Sequence, residues 1–360
     1  MKRMTLILLL LSILLAGCDR EAPETVAITE TTVLTESTAV PTTEPITITT
    51  ETEPAEERFV LTFVGDCTLG SNPVNYFNGY GFIKTVGENY RHPFRNVMDY
   101  FENDELTLAN LEGPLTDGGY PVEKRHTFRG PTEYVNILTD NSVDFVSLAN
   151  NHTLDYGPSG YASTTDTLNA AGVPFVERDS AAVITTENGL TVGIYGAVYY
   201  LLDVETIASE ISSLKDGGCD LVIFAPHWGT EGTYQPTGQQ VEVGHAAIDA
   251  GADIVWGSHP HVLQPIEEYN GGVIFYSLGN FSFGGNGYPN DYDTALLQQE
   301  IIRVESGVRL GGLTIVPACI SSVEGRNNYQ PTPYEEGSAE YERVLSKLDG
   351  SFSGSYGKIN

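Results

Sequence analysis

The chain reads as a mixed α/β protein with more than one sheet. Two observations lead there. Apolar strand-type runs alternate with helix-spaced segments over the first two-thirds, and the last third is mostly strand. The apolar runs also end repeatedly in residues with lone pairs, and strand ends are where open α/β sheets build their sites. Ser147-Leu148-Ala149-Asn150-Asn151-His152 shows the pattern best. It follows an apolar run from Val143 to Val146, broken only by Asp144.

Taken in order, Phe59 to Val64 is a strand closed by Gly65-Asp66, and Cys67-Thr68-Leu69-Gly70 leads out of it. Phe94 to Phe101 has helical spacing. Leu106 to Ala109 is the next strand; it ends in Asn110-Leu111-Glu112, and Gly113-Pro114 stops regular structure. Pro131 suits the first turn of a helix running to about Asn141. After the strand that leads to His152, a helix covers Ser159 to Ala171 and Gly172 ends it. Ala182 to Ala197 holds two strands with Asn188-Gly189 as their turn. Ile207 to Leu214 is helical. Asp220 to Ala225 is a strand that delivers Pro226-His227-Trp228-Gly229. A helix from Gln239 to Ala250 precedes the strand Asp253 to Trp256, which delivers Gly257-Ser258-His259-Pro260-His261. Val273 to Tyr276 ends in Ser277-Leu278-Gly279-Asn280-Phe281. Ala295 to Val304 and Val308 to Pro317 are paired strands, and a short helix lies near Glu340 to Leu348.

With 360 residues, 41% of them hydrophobic, the chain can bury one large core or two smaller ones. The formal net charge is -30, with only 18 lysines and arginines. Such a surface keeps the protein soluble and repels nucleic acid, whose binding rests on Lys and Arg at phosphates. Nucleic acid is therefore excluded as a partner. An anionic substrate would need the local charge inverted by a metal or a few arginines.

The start of the chain is a different region. Met1-Lys2-Arg3 is basic, and Leu6 to Leu15 is almost purely aliphatic but too short to span a bilayer. This is signal-peptide layout. Leu15-Ala16-Gly17-Cys18 resembles a bacterial lipobox, which would make Cys18 the lipidated first residue of the mature protein. A plain secretory signal or an uncleaved anchor is the alternative, and each takes the protein out of the cytoplasm. Residues 19–57 are rich in Thr, Glu and Pro and keep no helical or strand period, so a disordered tether is expected. Residues 1–18 are thus read as a leader, 19–57 as tether, 58–320 as one folded domain and 321–360 as an appendage. The expected location is the outer face of the bacterial cytoplasmic membrane. Cys67, Cys219 and Cys319, odd in number and widely spaced, are expected as buried free thiols.

The strand-end residues Asp66, Glu112, Asn151, His152, His227, His259 and His261 form one constellation. Carboxylates, an amide and imidazoles suit divalent ions such as Zn, Mn or Fe. The set has enough ligands for two ions about 3.5–4 Å apart. Cys67 points to the other side of its strand from Asp66.

Gly65-Asp66, Asn110-Leu111-Glu112, Asn150-Asn151-His152, His227-Trp228-Gly229, Gly257-Ser258-His259-Pro260-His261 and Ser277-Leu278-Gly279-Asn280-Phe281, in this order, resemble the motifs of the capsule synthesis protein CapA family. That family is linked to poly-γ-glutamate synthesis and export and is related to calcineurin-like metallophosphoesterases. The resemblance covers about residues 60–320. It implies a four-layer α/β/β/α sandwich, metallophosphatase-like, with one or two divalent ions. By the same resemblance Asp66 is a ligand of the first ion and Glu112 stands where an aspartate bridges the two. Asn151, His227 and His259 match ligands of the second ion, and His261 one of the first. His152 matches the histidine that protonates or stabilises the leaving oxygen.

Two positions depart from the pattern. Thr68 stands where the phosphoesterases usually carry a histidine, and Glu112 is one methylene longer than aspartate. A single-metal hydrolase or a metal-free binding site stays open. Around the centre, Arg129 is a candidate to bind a substrate anion, against a surface ion pair. Asp155 is a candidate to orient His152. Asn280 reads as a turn or supporting residue, His245 as structural, and Lys124 and Arg125 as solvated. The resemblance implies action on an anionic envelope polymer. The alternative is a non-catalytic factor that holds the polymer or a capsule synthase component at the membrane.

Overall fold

The computed structural model describes residues 56–72, 81–305 and 307–355. Cys18, the expected leader and nearly all of the expected tether lie outside the described residues. Glu57 belongs to the first strand, and Glu56 pairs with Arg58 and Arg309 at 2.6 and 3.0 Å, so folded structure starts slightly earlier than residue 58.

The strands are, in chain order, β1 (Glu57–Thr68), β2 (Leu106–Leu111), β3 (Phe145–Ser147), β4 (Phe175–Val176), β5 (Ser180–Thr185), β6 (Thr191–Val198), β7 (Leu221–His227), β8 (Ile254–Trp256), β9 (Ile266–Tyr269), β10 (Gly272–Phe275), β11 (Asn280–Phe283), β12 (Asp293–Val304), β13 (Gly307–Cys319) and β14 (Thr332–Pro333). The helices are α1 (Phe82–Val86), α2 (Met98–Phe101), α3 (Val135–Thr139), α4 (Gly157–Ala171), α5 (Val204–Asp216), α6 (Gly238–Asp249) and α7 (Ala339–Leu348). An eight-stranded sheet runs β14-β13-β12-β1-β2-β3-β4, with β11 also against β1. A six-stranded sheet runs β5-β6-β7-β8-β10-β9.

Three hydrophobic clusters define the layers. Leu61, Phe63, Leu108 and Phe145 of the first sheet meet Ile194, Ile223, Ile254 and Phe275 of the second. At the centre, Phe63 packs edge-on against Trp256 and Phe275, with ring centroids 5.9 and 5.5 Å apart. The outer face of the first sheet presents Val64, Cys67, Ala109 and Val146 to Phe82, Phe101, Ile137 and Leu168 of the helical layer. The outer face of the second presents Val222, Phe224 and Ile274 to Ile207 and Ile211 of α5 and Val243 and Ala247 of α6. This is the expected α/β/β/α sandwich. It explains the near-continuous apolar runs, because parallel strands covered on both faces have no polar side.

An irregularity at the centre of the first sheet positions Asp66. β12 pairs with β1 as far as Phe63, and β11 pairs with it in parallel from Asp66, opposite Asn280. The β1–β2 register shifts between Phe63 and Asp66. Gly65 sits at this change, where a Cβ would meet the Gly279 carbonyl oxygen at 2.1 Å; only glycine allows so close an approach. The Asp66 amide then donates to that same oxygen at 2.8 Å. β1 consequently continues past Gly65-Asp66, where the sequence suggested it closed.

Other differences are local. The helices expected at Phe94–Phe101 and Pro131–Asn141 are each a 3-10 turn followed by a few α-helical residues. β9 and β11 were not expected; each has four residues, too few to establish a period. α6 begins at a capping box in which Thr237 and Gln240 satisfy each other's backbone amides. Cys67 and Cys219 are buried and Cys319 half-buried, all as free thiols, and burial pushes the Cys67 thiol up to about 12.

Within the stretch expected as an appendage, the described residues 321–355 include a helix packed into the fold. Val344 and Leu348 of α7 join the main core. Between them on the same face, Lys347 is fully buried and donates to Asp291 and Asp293, both at 2.7 Å. Arg343 adds a bond to Asp293 at 2.7 Å. A polar-looking helix hides this role because its buried face includes a lysine, which carries no apolar signal. Lys347→Met would leave two buried carboxylates short of a partner. We expect it to lower the unfolding free energy by about 3–5 kcal/mol in denaturant titration.

Candidate metal centre

Both sheets deliver their carboxyl ends to one place. Asp66 lies near the end of β1 and Glu112 directly follows β2. Asn151 and His152 follow β3, His227 is the last residue of β7, and His259 and His261 follow β8. The seven sequence-predicted residues therefore come together, and their atoms form a connected cluster.

Asp66 and Glu112 are fully buried. Asp66 Oδ1 accepts from Asn110 Nδ2 at 2.7 Å, and Oδ2 lies 3.2 Å from His261 Nδ1. Glu112 Oε2 accepts from Thr68 Oγ1 at 3.2 Å. Glu112 Oε1 has no hydrogen-bond partner. It faces His227 Nε2 and His261 Nε2, both at 3.7 Å, and His152 Nε2 at 4.0 Å. Beside it, His227 Nε2 lies 3.2 Å from Asn151 Oδ1 and 3.1 Å from His259 Nδ1. Ser258 Oγ meets the other nitrogen of His227 at 2.8 Å and fixes the ring.

This donor set fits a divalent cation. A buried carboxylate oxygen without a hydrogen bond is costly unless a charge satisfies it. Here it looks onto imidazole nitrogens too far for hydrogen bonds, at separations that two ligands of one ion adopt when each binds at about 2.0–2.2 Å. Among the described residues, two groups each bring three ligand atoms within 4.8 Å of one another: Asp66 with Glu112 and His261, and Glu231 with His259 and His261.

The electrostatics agree. Burial pushes the Glu112 carboxyl up, against the pull of His261. Burial alone would lower His261, but the Glu112 and Asp66 carboxylates beside it raise it well above the ordinary imidazole value. The carboxylates thus favour positive charge at this position, which is what a metal ion would supply. Burial is the main cause that lowers the other rings: His227 far down, His259 to about 4 and His152 more modestly. Neutral imidazoles are the ligand form.

Strand-end turns hold these rings. His259 and His261 both have positive φ, 100° and 57°, a region that costs energy for a non-glycine residue and recurs at functional sites. Asn280 braces His261, with Oδ1 3.0 Å from the ring and Nδ2 donating to the backbone carbonyl at 3.3 Å. Asn150 stays behind the centre. Its amide donates to Asn110 Oδ1 and Leu111 O at 3.1 and 2.9 Å, and its oxygen accepts from His152 N and Thr153 Oγ1, both at 3.0 Å.

His152 is aimed by Asp155. Nδ1 meets Asp155 Oδ2 at 2.7 Å, which leaves Nε2 toward Glu112. The Phe128 amide donates to the same oxygen at 2.7 Å, and the Phe128 ring packs on the imidazole at 4.5 Å. Lys124, expected in solvent, reaches Asp155 Oδ1 at 3.0 Å and Asn151 O at 2.8 Å. That expectation failed because the contact depends on a long loop folding back over the β3 turn. Arg129 places its guanidinium 5.2 Å from the centre of the Tyr156 ring. His245 is structural, as expected: it bonds Glu267 at 3.0 Å and stacks on Tyr269. Glu231 was missed. The available signal was a carboxylate four residues after His227, in the loop that leaves the same strand end.

The fold and site define a two-sheet α/β protein with a histidine, carboxylate and amide cluster of divalent-metal type at the joint strand ends. Residues 60–285 match the family model described as bacterial capsule synthesis protein PGA_cap, and the chain belongs to that family. It is 33% identical over 271 residues to the PGA biosynthesis protein CapA of Bacillus subtilis, covering 68% of each chain. It is 30% identical over 273 residues to the capsule biosynthesis protein CapA of Bacillus anthracis, covering 68% of this chain and 64% of that one. The match thus spans somewhat less than two-thirds of the Bacillus anthracis relative. Among solved structures, the calcineurin-like phosphoesterase YfkN of Bacillus subtilis aligns at 18% identity over 76% of this chain and 95% of that one, with a TM-score of 0.42.

Asn150 tests how far the centre depends on its support. Asn150→Ala deprives buried groups at two strand ends of their partners. It should cost at least about 2 kcal/mol of stability in chemical denaturation.

Proposed function

We propose that the protein is a membrane-tethered, metal-dependent, hydrolase-like component of capsule or poly-γ-glutamate synthesis, acting on an anionic envelope polymer. The observation that carries this reading is the unpartnered Glu112 Oε1, buried and facing the nitrogens of His227, His261 and His152. The names of the Bacillus relatives support the polymer.

Asp66, Glu112, Asn151, His227, His259 and His261 would hold one or two divalent ions, with Mn, Zn and Fe all suited to the ligands. Such an ion supplies Lewis-acid polarisation of the scissile centre. The chain's own residues do the rest. Asp155 fixes the His152 tautomer, so that Nε2 can exchange a proton with a leaving group. Phe128 packs its ring against that imidazole. Lys124, paired with Asp155 and 3.3 Å from His152 Nδ1, and Arg129, over the Tyr156 ring, would be the cations available to a substrate anion. Lipidation at Cys18 and the Thr/Glu/Pro-rich stretch after it would keep the domain at the outer face of the cytoplasmic membrane.

A second reading, a non-catalytic polymer-holding or assembly factor that also contacts capsule synthase components, is favoured by one observation. Thr68 stands where a stronger ligand is usual, and its hydroxyl is occupied with Glu112.

Turnover separates the readings. The full chain should hydrolyse bis(p-nitrophenyl) phosphate or poly-γ-glutamate only with a divalent metal, and His152→Ala should lower kcat about 10²–10⁴-fold while metal stays bound. Metal binding without turnover on either substrate would favour the assembly reading. Chelation should also lower the melting temperature, because a metal at a hundred times its Kd adds about 2.7 kcal/mol to the folded state. Cys18→Ala should move the protein from the membrane to the soluble fraction on cell fractionation.

A further inference from the structure

The geometry points to Glu231 as an additional metal ligand, standing beside His259 and His261. This rests on the metal-centre reading and deepens it. At Thr68 the chain offers a hydroxyl, already donated to Glu112 Oε2 at 3.2 Å. Neutral hydroxyls bind divalent ions weakly compared with imidazole or carboxylate, so Thr68 is not counted among the ligands. A ligand atom of Glu231 lies within 4.8 Å of ligand atoms of both His259 and His261. His261 belongs also to the inner group with Asp66 and Glu112. The two groups therefore adjoin through one ring.

Several features hold Glu231 there. It lies in the short loop after β7, four residues beyond His227. Gly229 and Gly232 flank it, both with positive φ, 86° and 71°. The Gly232 amide donates to the Pro260 carbonyl at 2.8 Å, so the loop is tied to the residue between the two histidines. The His259 ring is fixed by stacking on Tyr199, with centroids 5.3 Å apart. Glu231 itself is exposed, which puts this ligand on the solvent side of the centre. The second, independent observation is the buried, unpartnered Glu112 Oε1 on the inner side. Asp66, Glu112 and Glu231 then bring three carboxylates to balance the charge of divalent ions. An ion held partly by an exposed carboxylate would exchange more readily than one enclosed by the inner group.

The test is metal binding, read apart from activity. Mn²⁺ and, separately, Zn²⁺ are titrated calorimetrically into the full chain, into Glu231→Gln and into Glu112→Gln. Because Glu231 is exposed, metal-free Glu231→Gln should unfold at the same denaturant midpoint as the parent. The expected result is at least tenfold weaker binding, or loss of one binding step, in Glu231→Gln, with Glu231→Asp in between. Binding by Glu231→Gln within twofold of the parent, while Glu112→Gln binds weakly, would overturn the role of Glu231 and leave the inner centre standing. No binding of either metal by the parent would overturn both.

Discussion

Everything at the centre of this molecule depends on one desolvated carboxylate. Glu112 is fully buried, with one oxygen tied to Thr68 and the other without a hydrogen bond to the protein. Such a group is costly to bury. It persists because the surrounding structure is arranged as a receptor for positive charge, with the nitrogens of His227, His261 and His152 turned to the free oxygen. Burial raises the Glu112 carboxyl, and the Glu112 and Asp66 carboxylates in turn raise His261.

The sandwich makes this arrangement possible. Two parallel-centred sheets packed face to face bring their carboxyl ends to the same end of the core, so short turns from both can meet. The close approach at Gly65 lets β11 replace β12 beside Asp66, which sets that carboxylate opposite Asn280, the residue that braces His261. Asn110 and Asn150 join the neighbouring strand ends through their amides. The positive φ of His259 and His261 is strain that a well-packed scaffold can hold. The proposed chemistry thus draws on packing far from the reacting groups, including the buried Lys347 cluster that anchors α7.

Much of this was legible in the sequence, and the parts that were not share a physical cause. Buried strands and their polar ends leave a local signature, so β1, β2, β3, β7 and β8 and the residues they deliver could be read directly. The orienting role of Asp155 followed from its closeness to His152. Lys124 and Glu231 could not be read so easily. Both are charged residues in loops with no period, and their positions depend on a loop returning over a distant turn. α7 was misjudged for a related reason. Its buried face carries Lys347, whose partners Asp291 and Asp293 lie far away in sequence. Hydrophobic burial leaves its mark in local sequence, whereas long-range ion pairing does not.

The central claim is that a cation satisfies Glu112. Crystals of the full chain grown with Mn²⁺ should show, in anomalous difference maps, a peak in bonding range of Glu112 Oε1 and of at least one of His227 and His261. A well-ordered centre with no anomalous peak, and with Glu112 Oε1 hydrogen-bonded to water or to a histidine, would contradict it.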